Sequence, residues 1–227
     1  MKSRTLNPVL TEDGSYTFFF KELNEHYHSL DGALSESQYV YIENGLALFS
    51  KSNAEINVFE IGIGTGLNVF ISQKWAKEYK IKVNYVGIEP FPIDSDSVEK
   101  IIPSSFSEEE SNILRKIHSS DSLEGKLRMD SYFCLSMHES KIEEFNIDSF
   151  KEYFDVVYFD AFAASRQAEI WDKGNVQKCF KMLKKGGILT TYSATGQFKR
   201  NLKEAGFSVE KLKGFSSKRE MFRGIKA

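Results

Sequence analysis

The stretch from Ile56 to Tyr79 restricts the fold more than any other part of the chain. It reads INVFEI, then Gly62-Ile-Gly64-Thr-Gly66, then a segment with apolar residues at Leu67, Phe70, Ile71 and Trp75. The first piece is rich in β-branched and aromatic types and predicts a strand over 56–61. The i, i+3, i+4, i+8 spacing that follows predicts an amphipathic helix over 67–79. Backbone that must pass close to a ligand cannot carry Cβ atoms, so the three glycines between them mark a tight, ligand-facing turn. A bare structural turn is the alternative. Strand, glycine turn and helix together open a parallel sheet wrapped by helices.

The rest of the chain continues that alternation. A second strand is expected over 83–88, ending at Glu89-Pro90, followed by a polar, largely helical stretch over 94–128 with apolar positions at Ile113, Leu114 and Ile117. Strands follow at 132–137 and 154–159, the latter ending at Asp160. A helix over 176–183 is expected to stop at Lys184-Lys185-Gly186-Gly187, with glycine as its left-handed cap. A strand at 188–192, a helix at 198–205 capped by Gly206, and closing strands at 208–212 and 221–225 complete the pattern. The fold class is therefore α/β, a Rossmann-like doubly wound sheet of seven strands with an antiparallel edge strand, occupying residues 49–227. Residues 1–48 stand outside it as an extension of short strands (17–20 and 38–42) and turns. Its segment 30–42 reads as a lid or substrate wall, with Tyr39 as a candidate substrate contact.

Composition narrows the function classes. With 41% hydrophobic and 27% charged residues, the 227-residue chain has an ordinary globular balance. No run approaches the ~18 apolar residues that span a bilayer, and MKSRTLNPVLTEDGSY has no apolar core of a secretory signal. Cys134 and Cys179 are too few for a disulfide framework, which points to a reducing, cytoplasmic setting. His26, His28, His118 and His138 match no metal-site spacing. His26 and His28 can share one face of a strand, but no metal is predicted. From Asn175 onward, 13 Lys/Arg stand against 3 Asp/Glu, whereas the whole chain carries −2. A basic C-terminal quarter on an acidic body suits a polyanion; solvated helix faces without a partner are the alternative.

Two positions carry the chemistry. Glu89 lies about 20 residues beyond the glycine turn, where a carboxylate can hold both ribose hydroxyls of a nucleoside cofactor. A dinucleotide loop of the G-x-G-x-x-G kind wants glycine where this chain has Leu67, and it sets a pyrophosphate on the helix N-terminus. Glu60 beside the loop would repel a pyrophosphate but suits the cationic ammonium and sulfonium of S-adenosyl-L-methionine. That reading disfavours a nicotinamide oxidoreductase and assigns Glu60, Gly62, Gly64, Gly66 and Glu89 to the cofactor. Asp160 ends a strand at the carboxyl edge of the sheet, where such folds place their chemistry, and can orient or deprotonate an attacking amine. Capping a helix is its alternative role. Phe162 follows it. Near the end, Lys213-Gly-Phe-Ser-Ser-Lys-Arg-Glu-Met221 offers Lys218 and Arg219 to phosphate and Phe215 to a base, or else forms a turn between edge strands.

These pieces together resemble the methyltransferase module of the bacterial bifunctional tRNA 5-methylaminomethyl-2-thiouridine enzymes, the MnmC family, and especially its stand-alone, MnmD-like form. The resemblance is carried by LSESQYVYIENG (34–45), FEIGIGTGLNVF (59–70), YVGIEPFPI (85–93), FDVVYFDAFAAS (154–165), LKKGGILTTYSATGQFKRNLKEAGF (183–207) and KGFSSKREMFRGI (213–225). It implies a class I S-adenosyl-L-methionine-dependent fold and transfer of methyl to the 5-aminomethyl nitrogen of a modified wobble uridine in the tRNA anticodon loop. It also implies Asp160 as the catalytic carboxylate and Glu139 as an adenine contact, although MHES replaces the usual glycine-aspartate pair. The loop after Asp160 reads AFAAS where the family has glycine and proline. No FAD oxidase half is included in the 227 residues. The oligomeric state is not encoded in any of these patterns. A small-molecule amine N-methyltransferase, an aminopropyl transferase of the spermidine synthase type, and a non-catalytic RNA-binding module stay as alternatives.

Overall fold

Alternating burial along the central strands decides the layering. In the computed structural model, which describes residues 5–50, 54–123 and 125–227, Ile56 and Val58 face one core while Phe59 and Ile61 face the other. Val156 and Tyr158 likewise oppose Val157 and Phe159. Successive side chains in a strand point to opposite faces, so these runs must be covered on both sides.

The chain begins with a three-stranded antiparallel sheet, β1 (Leu6–Leu10), β2 (Tyr16–Phe20) and β3 (Glu25–His26). Helix α1 (Ala33–Ser37) then runs straight into a π-helical stretch, Gln38–Glu43. The strand expected over 38–42 is thus replaced by helix. Its β-branched and aromatic content suggested a strand, but Val40, Tyr41 and Ile42 are buried in succession. A half-buried strand would alternate, so tertiary burial overrides local propensity here.

The main body runs β4 (Glu55–Ile61), α2 (Leu67–Tyr79), β5 (Lys82–Ile88), α3 (Ser95–Glu99), α4 (Glu108–Ile117), β6 (Lys126–Arg128), β7 (Phe133–His138), β8 (Phe154–Phe159), α5 (Lys173–Met182), β9 (Leu183–Thr191), α6 (Gly196–Ala205), β10 (Phe207–Lys213) and β11 (Glu220–Lys226). The sheet order is β10-β11-β9-β8-β4-β5-β7-β6. It has eight strands rather than seven, because the three-residue β6 adds an antiparallel edge against β7. At the other end the antiparallel strand is β11, one position in from the edge and flanked by β9 and β10. The expected long helical stretch breaks into α3 and α4 around Pro103. Helix α4 is well specified locally: Ser107 and Glu110 form a capping box, three glutamates fill the first turn, and Arg115 and Lys116 sit in the last. Helix α5 ends without a glycine cap. Leu183 is already extended and begins β9, and Gly186, at φ 78°, lies where the β8–β9 register slips. The Lys-Lys-Gly-Gly run therefore makes an irregularity in a strand. Of the expected extension, domain and helical stretch, residues 1–4, 51–53 and 124 respectively lie outside the described residues.

The N-terminal elements are bonded to the far end of the chain. Thr190, on β9 and fully buried, donates its hydroxyl to the Val40 carbonyl at 3.0 Å, and Tyr39 donates its hydroxyl to the Lys213 carbonyl at 2.9 Å. Replacing Thr190 by Val leaves that buried carbonyl without its donor, at a cost of about 1–3 kcal/mol. Urea titration of Thr190→Val is expected to show the midpoint falling with an unchanged slope. An unaltered midpoint would mean that this docking contributes nothing to stability.

Candidate active site

The loops that leave β4, β5 and β8 meet at the carboxyl edge of the sheet, and backbone bonds knit them together. The Gly62 amide donates to Ile88 at 3.0 Å, and the Asp160 amide donates to Ile61 at 3.0 Å. Gly62 sits at φ 88°, and a Cβ there would lie 2.1 Å from the Asp160 carbonyl oxygen. Only glycine allows the two loops to approach so closely. Glu89, just past β5, accepts from the Gly64 amide (3.0 Å) and the Phe91 amide (2.9 Å), which pins its carboxylate against the glycine loop.

Three carboxyl side chains thus gather where the parallel strands end, and one amide joins two of them. Asn68, in the first turn of α2, donates through Nδ2 to Glu60 Oε1 and to Asp160 Oδ2, each at 2.7 Å. The second Glu60 oxygen accepts from the Tyr85 hydroxyl at 2.8 Å. Glu60 is fully buried, and burial, reinforced by the negative charge of Asp160, pushes its carboxyl up to about 8. Burial likewise raises Asp160 to about 7, opposed by Tyr41, Asn68 and the Lys218 charge and assisted by Glu36. The Tyr41 hydroxyl faces Asp160 closely enough to favour its ionised form, although it falls short of full hydrogen-bond geometry.

An aromatic wall from the N-terminal elements closes one side. Tyr27 packs on the glycine loop, so near that a Cβ on Gly64 would be 2.9 Å from its ring. It meets Phe162 edge-on at 4.8 Å, and Phe162 also meets Phe20 at 5.9 Å. Arg166 pairs with Glu25 at 3.5 Å, tying the loop after Asp160 to the same sheet. On the other side Tyr192 donates its hydroxyl to the Ala161 carbonyl at 2.7 Å, and Trp171 donates its indole N–H to Phe162 at 2.8 Å.

The expected site residues therefore fall into distinct places. Glu60, Gly62, Gly64, Gly66, Glu89, Asp160 and Phe162 converge at one edge. Asp160 does not cap a helix: Asp172 does so for α5, accepting from the Asn175 amide. Tyr39 and Phe215 face each other at 6.3 Å across the seam between the N-terminal elements and the β10–β11 loop. Lys218 points inward, paired with the buried Glu36 and lying 4.5 Å from the centre of the Tyr192 ring, while Arg219 is exposed. Glu139 is exposed just past β7, next to β5 in the sheet. Tyr27, Glu36, Tyr41, Asn68 and Tyr192 were not read from the sequence. Only Asn68 left a trace, as a polar residue two positions after Gly66 in an otherwise apolar turn.

The donor set fits a cationic nucleoside ligand. Glu89 and the ionised fraction of Asp160 make the edge acidic, the Glu60 proton is one that a bound cation would displace, and the nearby Lys218 is itself neutralised by Glu36. A diphosphate would meet carboxylates here, whereas a sulfonium or ammonium would be drawn in.

Comparison with known proteins gives a consistent answer. Residues 106–227, more than half of the chain, match the profile of a family described as S-adenosyl-L-methionine-dependent methyltransferase. The chain is 27% identical over 232 residues to the tRNA 5-methylaminomethyl-2-thiouridine biosynthesis bifunctional protein MnmC of Leptospira interrogans, covering 95% of this chain and 35% of that protein. It is 26% identical over 238 residues to the protein of the same description from Aliivibrio fischeri, covering 96% and 35%. The chain thus spans about a third of the length of these relatives. Among solved structures, MNMC2 from Aquifex aeolicus superposes with a TM-score of 0.82 at 22% identity, over 98% of this chain and 71% of that one. Spermidine synthase from Thermotoga maritima gives 0.58 at 14% identity, over 100% and 70%. These two likenesses bear on the fold.

The buried carboxyls make a pH signature. Both folded values lie above the ordinary values of 3.8 for Asp160 and 4.5 for Glu60, so the folded state binds more protons than the unfolded chain between those limits. Their stabilising contribution is complete below the unfolded values and is lost as pH rises through about 7 to 8. Burial lowers His28 from 6.5 to about 4 and lowers His118, so their effects have the opposite sense and are complete near 6.5, which leaves the fall through 7 to 8 to the carboxyls. Thermal melting of the ligand-free protein across this range is expected to fall with pH, and less steeply in Asp160→Asn and Glu60→Gln. Parallel curves for all three proteins would contradict the assignment.

Proposed function

Because the chain belongs to the S-adenosyl-L-methionine-dependent methyltransferase family, we propose that it methylates the 5-aminomethyl nitrogen of a modified wobble uridine in tRNA, in the cytoplasm. The observation that carries this reading is the Asp160 carboxyl at the carboxyl edge of the sheet, held beside the glycine loop by Asn68 and raised to about 7 by burial. A base with that value is half ionised near neutral pH, which suits proton removal from an amine. The names of the relatives point to the same modified base, and the resemblance extends over nearly the whole chain.

S-adenosyl-L-methionine, when bound, supplies an electrophilic methyl group on a sulfonium. Glu89 would hold its ribose hydroxyls, and Gly62, Gly64 and Gly66 would let it approach the backbone. The Glu60 carboxyl would favour the cationic end, and Glu139, exposed just past β7, would meet the adenine. On the acceptor side, Asp160 orients the amine and takes the proton displaced from nitrogen as the new N–C bond forms. Phe162, Tyr39 and Phe215 offer faces for an unstacked base, and Arg219 is exposed for phosphate. Lys218, turned inward onto Tyr192, acts on the charge of the acceptor pocket. Most of the acceleration comes from holding the two reacting atoms in line, which can supply roughly 7–11 kcal/mol. Proton transfer adds about 10²–10⁴-fold. A wobble base is unpaired in its loop, so presenting it costs little.

The test is methyl transfer from labelled S-adenosyl-L-methionine to tRNA from cells lacking this methylation, followed by nucleoside analysis. Label on the aminomethyl nitrogen of the wobble uridine is the expected result. Asp160→Ala should lower turnover by about 10²–10⁴-fold while cofactor affinity stays nearly unchanged. Cofactor binding with unmodified tRNA would move the acceptor to small amines.

A further inference from the structure

Among the described residues, no group satisfies one polar atom of Asn68. Its two Nδ2 hydrogens are spent on Glu60 and Asp160, each at 2.7 Å. Asp160 must be ionised to take up a proton, and an ionised carboxylate only accepts, so the amide is fixed with nitrogen toward it. Turning it over would set Oδ1 against that carboxylate. Oδ1 is then buried without a donor, in a residue only 2% exposed. Buried amide oxygens are nearly always paired, and one left open beside a reactive carboxyl invites a ligand N–H.

A neutral primary amine carries two N–H bonds and one lone pair. If two acceptors take both hydrogens, the lone pair can point in only one direction. Asp160 supplies one acceptor, and the Asn68 amide bonded to it supplies another one short side chain away. We propose that Asn68 Oδ1 and the Asp160 carboxylate form a two-acceptor clamp that aims a primary amine and thereby limits the reaction to one methyl transfer. Asn68 is a positioning residue in this scheme, and the inference takes its substrate from the function proposed above. In the transfer, the nitrogen lone pair forms the N–C bond as the S–C bond breaks with its electrons returning to sulfur. The surplus proton on nitrogen passes to Asp160. The product is a secondary amine with a single N–H. It cannot fill both acceptors with its lone pair still aimed, so a second transfer leaves Asn68 Oδ1 unpaired again and is disfavoured.

The test compares the first and second methyl transfers on tRNA bearing the aminomethyl or the methylaminomethyl base, in wild type, Asn68→Ala and Asn68→Ser. Wild type is expected to stop at one methyl. Asn68→Ala should slow the first transfer on the order of a hundredfold through misplacement, with a far smaller loss of cofactor affinity through its bond to Glu60. It should also narrow the ratio of first to second transfer by about tenfold or more. Asn68→Ser keeps an acceptor oxygen and should recover part of that ratio; it is also the working comparison if the alanine variant does not fold. An unaltered ratio, or equal loss of cofactor binding and turnover, overturns the clamp.

A second readout needs no substrate. The groups facing Asp160 are Glu60 on β4, Glu36 and Tyr41 from the N-terminal elements, and Lys218 and Tyr192 from the C-terminal side. Loss of the Asn68 donor should raise the midpoint of the Asp160 infrared carboxyl band, identified by its disappearance in Asp160→Asn. A midpoint that does not move overturns the positioning role even if wild type proves inactive on RNA. A midpoint that moves in a protein that leaves tRNA unmodified supports the positioning role and locates the failure in the substrate assignment.

Discussion

Ionisable groups removed from water govern how the rest of this molecule is arranged. Glu60 lies beneath the glycine turn with no exposed surface, and a carboxyl in that position is tolerated only if hydrogen bonds reach it. Tyr85 from β5 and Asn68 from α2 provide them, so strand, neighbouring strand and following helix are committed to one geometry. The same amide reaches Asp160 beyond β8. Three adjacent strands are thus referenced to a single polar knot at their carboxyl ends. The apolar alternation beneath it sets the layers, but the knot decides how the loops above them sit.

The aromatic side of the site is assembled differently. No single element carries it. Tyr27 and Phe162 come together edge-on from the N-terminal sheet and the loop after β8. Glu36 and Lys218 meet from opposite ends of the chain, and Tyr192 supplies the ring on which the lysine rests. Pairing with a buried carboxylate turns a residue whose type suggested phosphate contact into part of the pocket wall. Charge counted along a sequence gives the sign of a region, but the direction in which one lysine points is set by what it can pair with.

That distinction describes what was legible beforehand. Strand–turn–helix at 55–79 could be read almost to the residue because hydrophobic period and glycine spacing act over short range. Gly206 announced its left-handed cap, and the carboxyls at the ends of β4, β5 and β8 could be placed from strand boundaries alone. The failures share a cause. Val40-Tyr41-Ile42 has strand-like composition but is buried on every side by α2 and β9. The short β6 has too few residues for a period, and Gly186 bends a strand where a helix cap was expected. Asn68 and Tyr27 matter through partners tens of residues away. No local pattern encodes those partners, although the type and position of Asn68 left a hint.

The seam between the N-terminal elements and the β10–β11 hairpin has a consequence for how the protein is made. Its contacts join residues 174, 182 and 186 positions apart, through Tyr39 with Lys213, Glu36 with Lys218, and Asp31 with Ser217. Closing such long loops is slow relative to local pairing. On the ribosome, the glycine turn and its flanking strands are complete while the hairpin is still untranslated. Residues 5–43 must therefore wait, with Tyr41 and Val40 lacking part of their cover, until β9 and the hairpin emerge. The glycine loop and its carboxyls are thus complete in the nascent chain well before the aromatic wall beside them, whose two halves come from opposite ends of the chain.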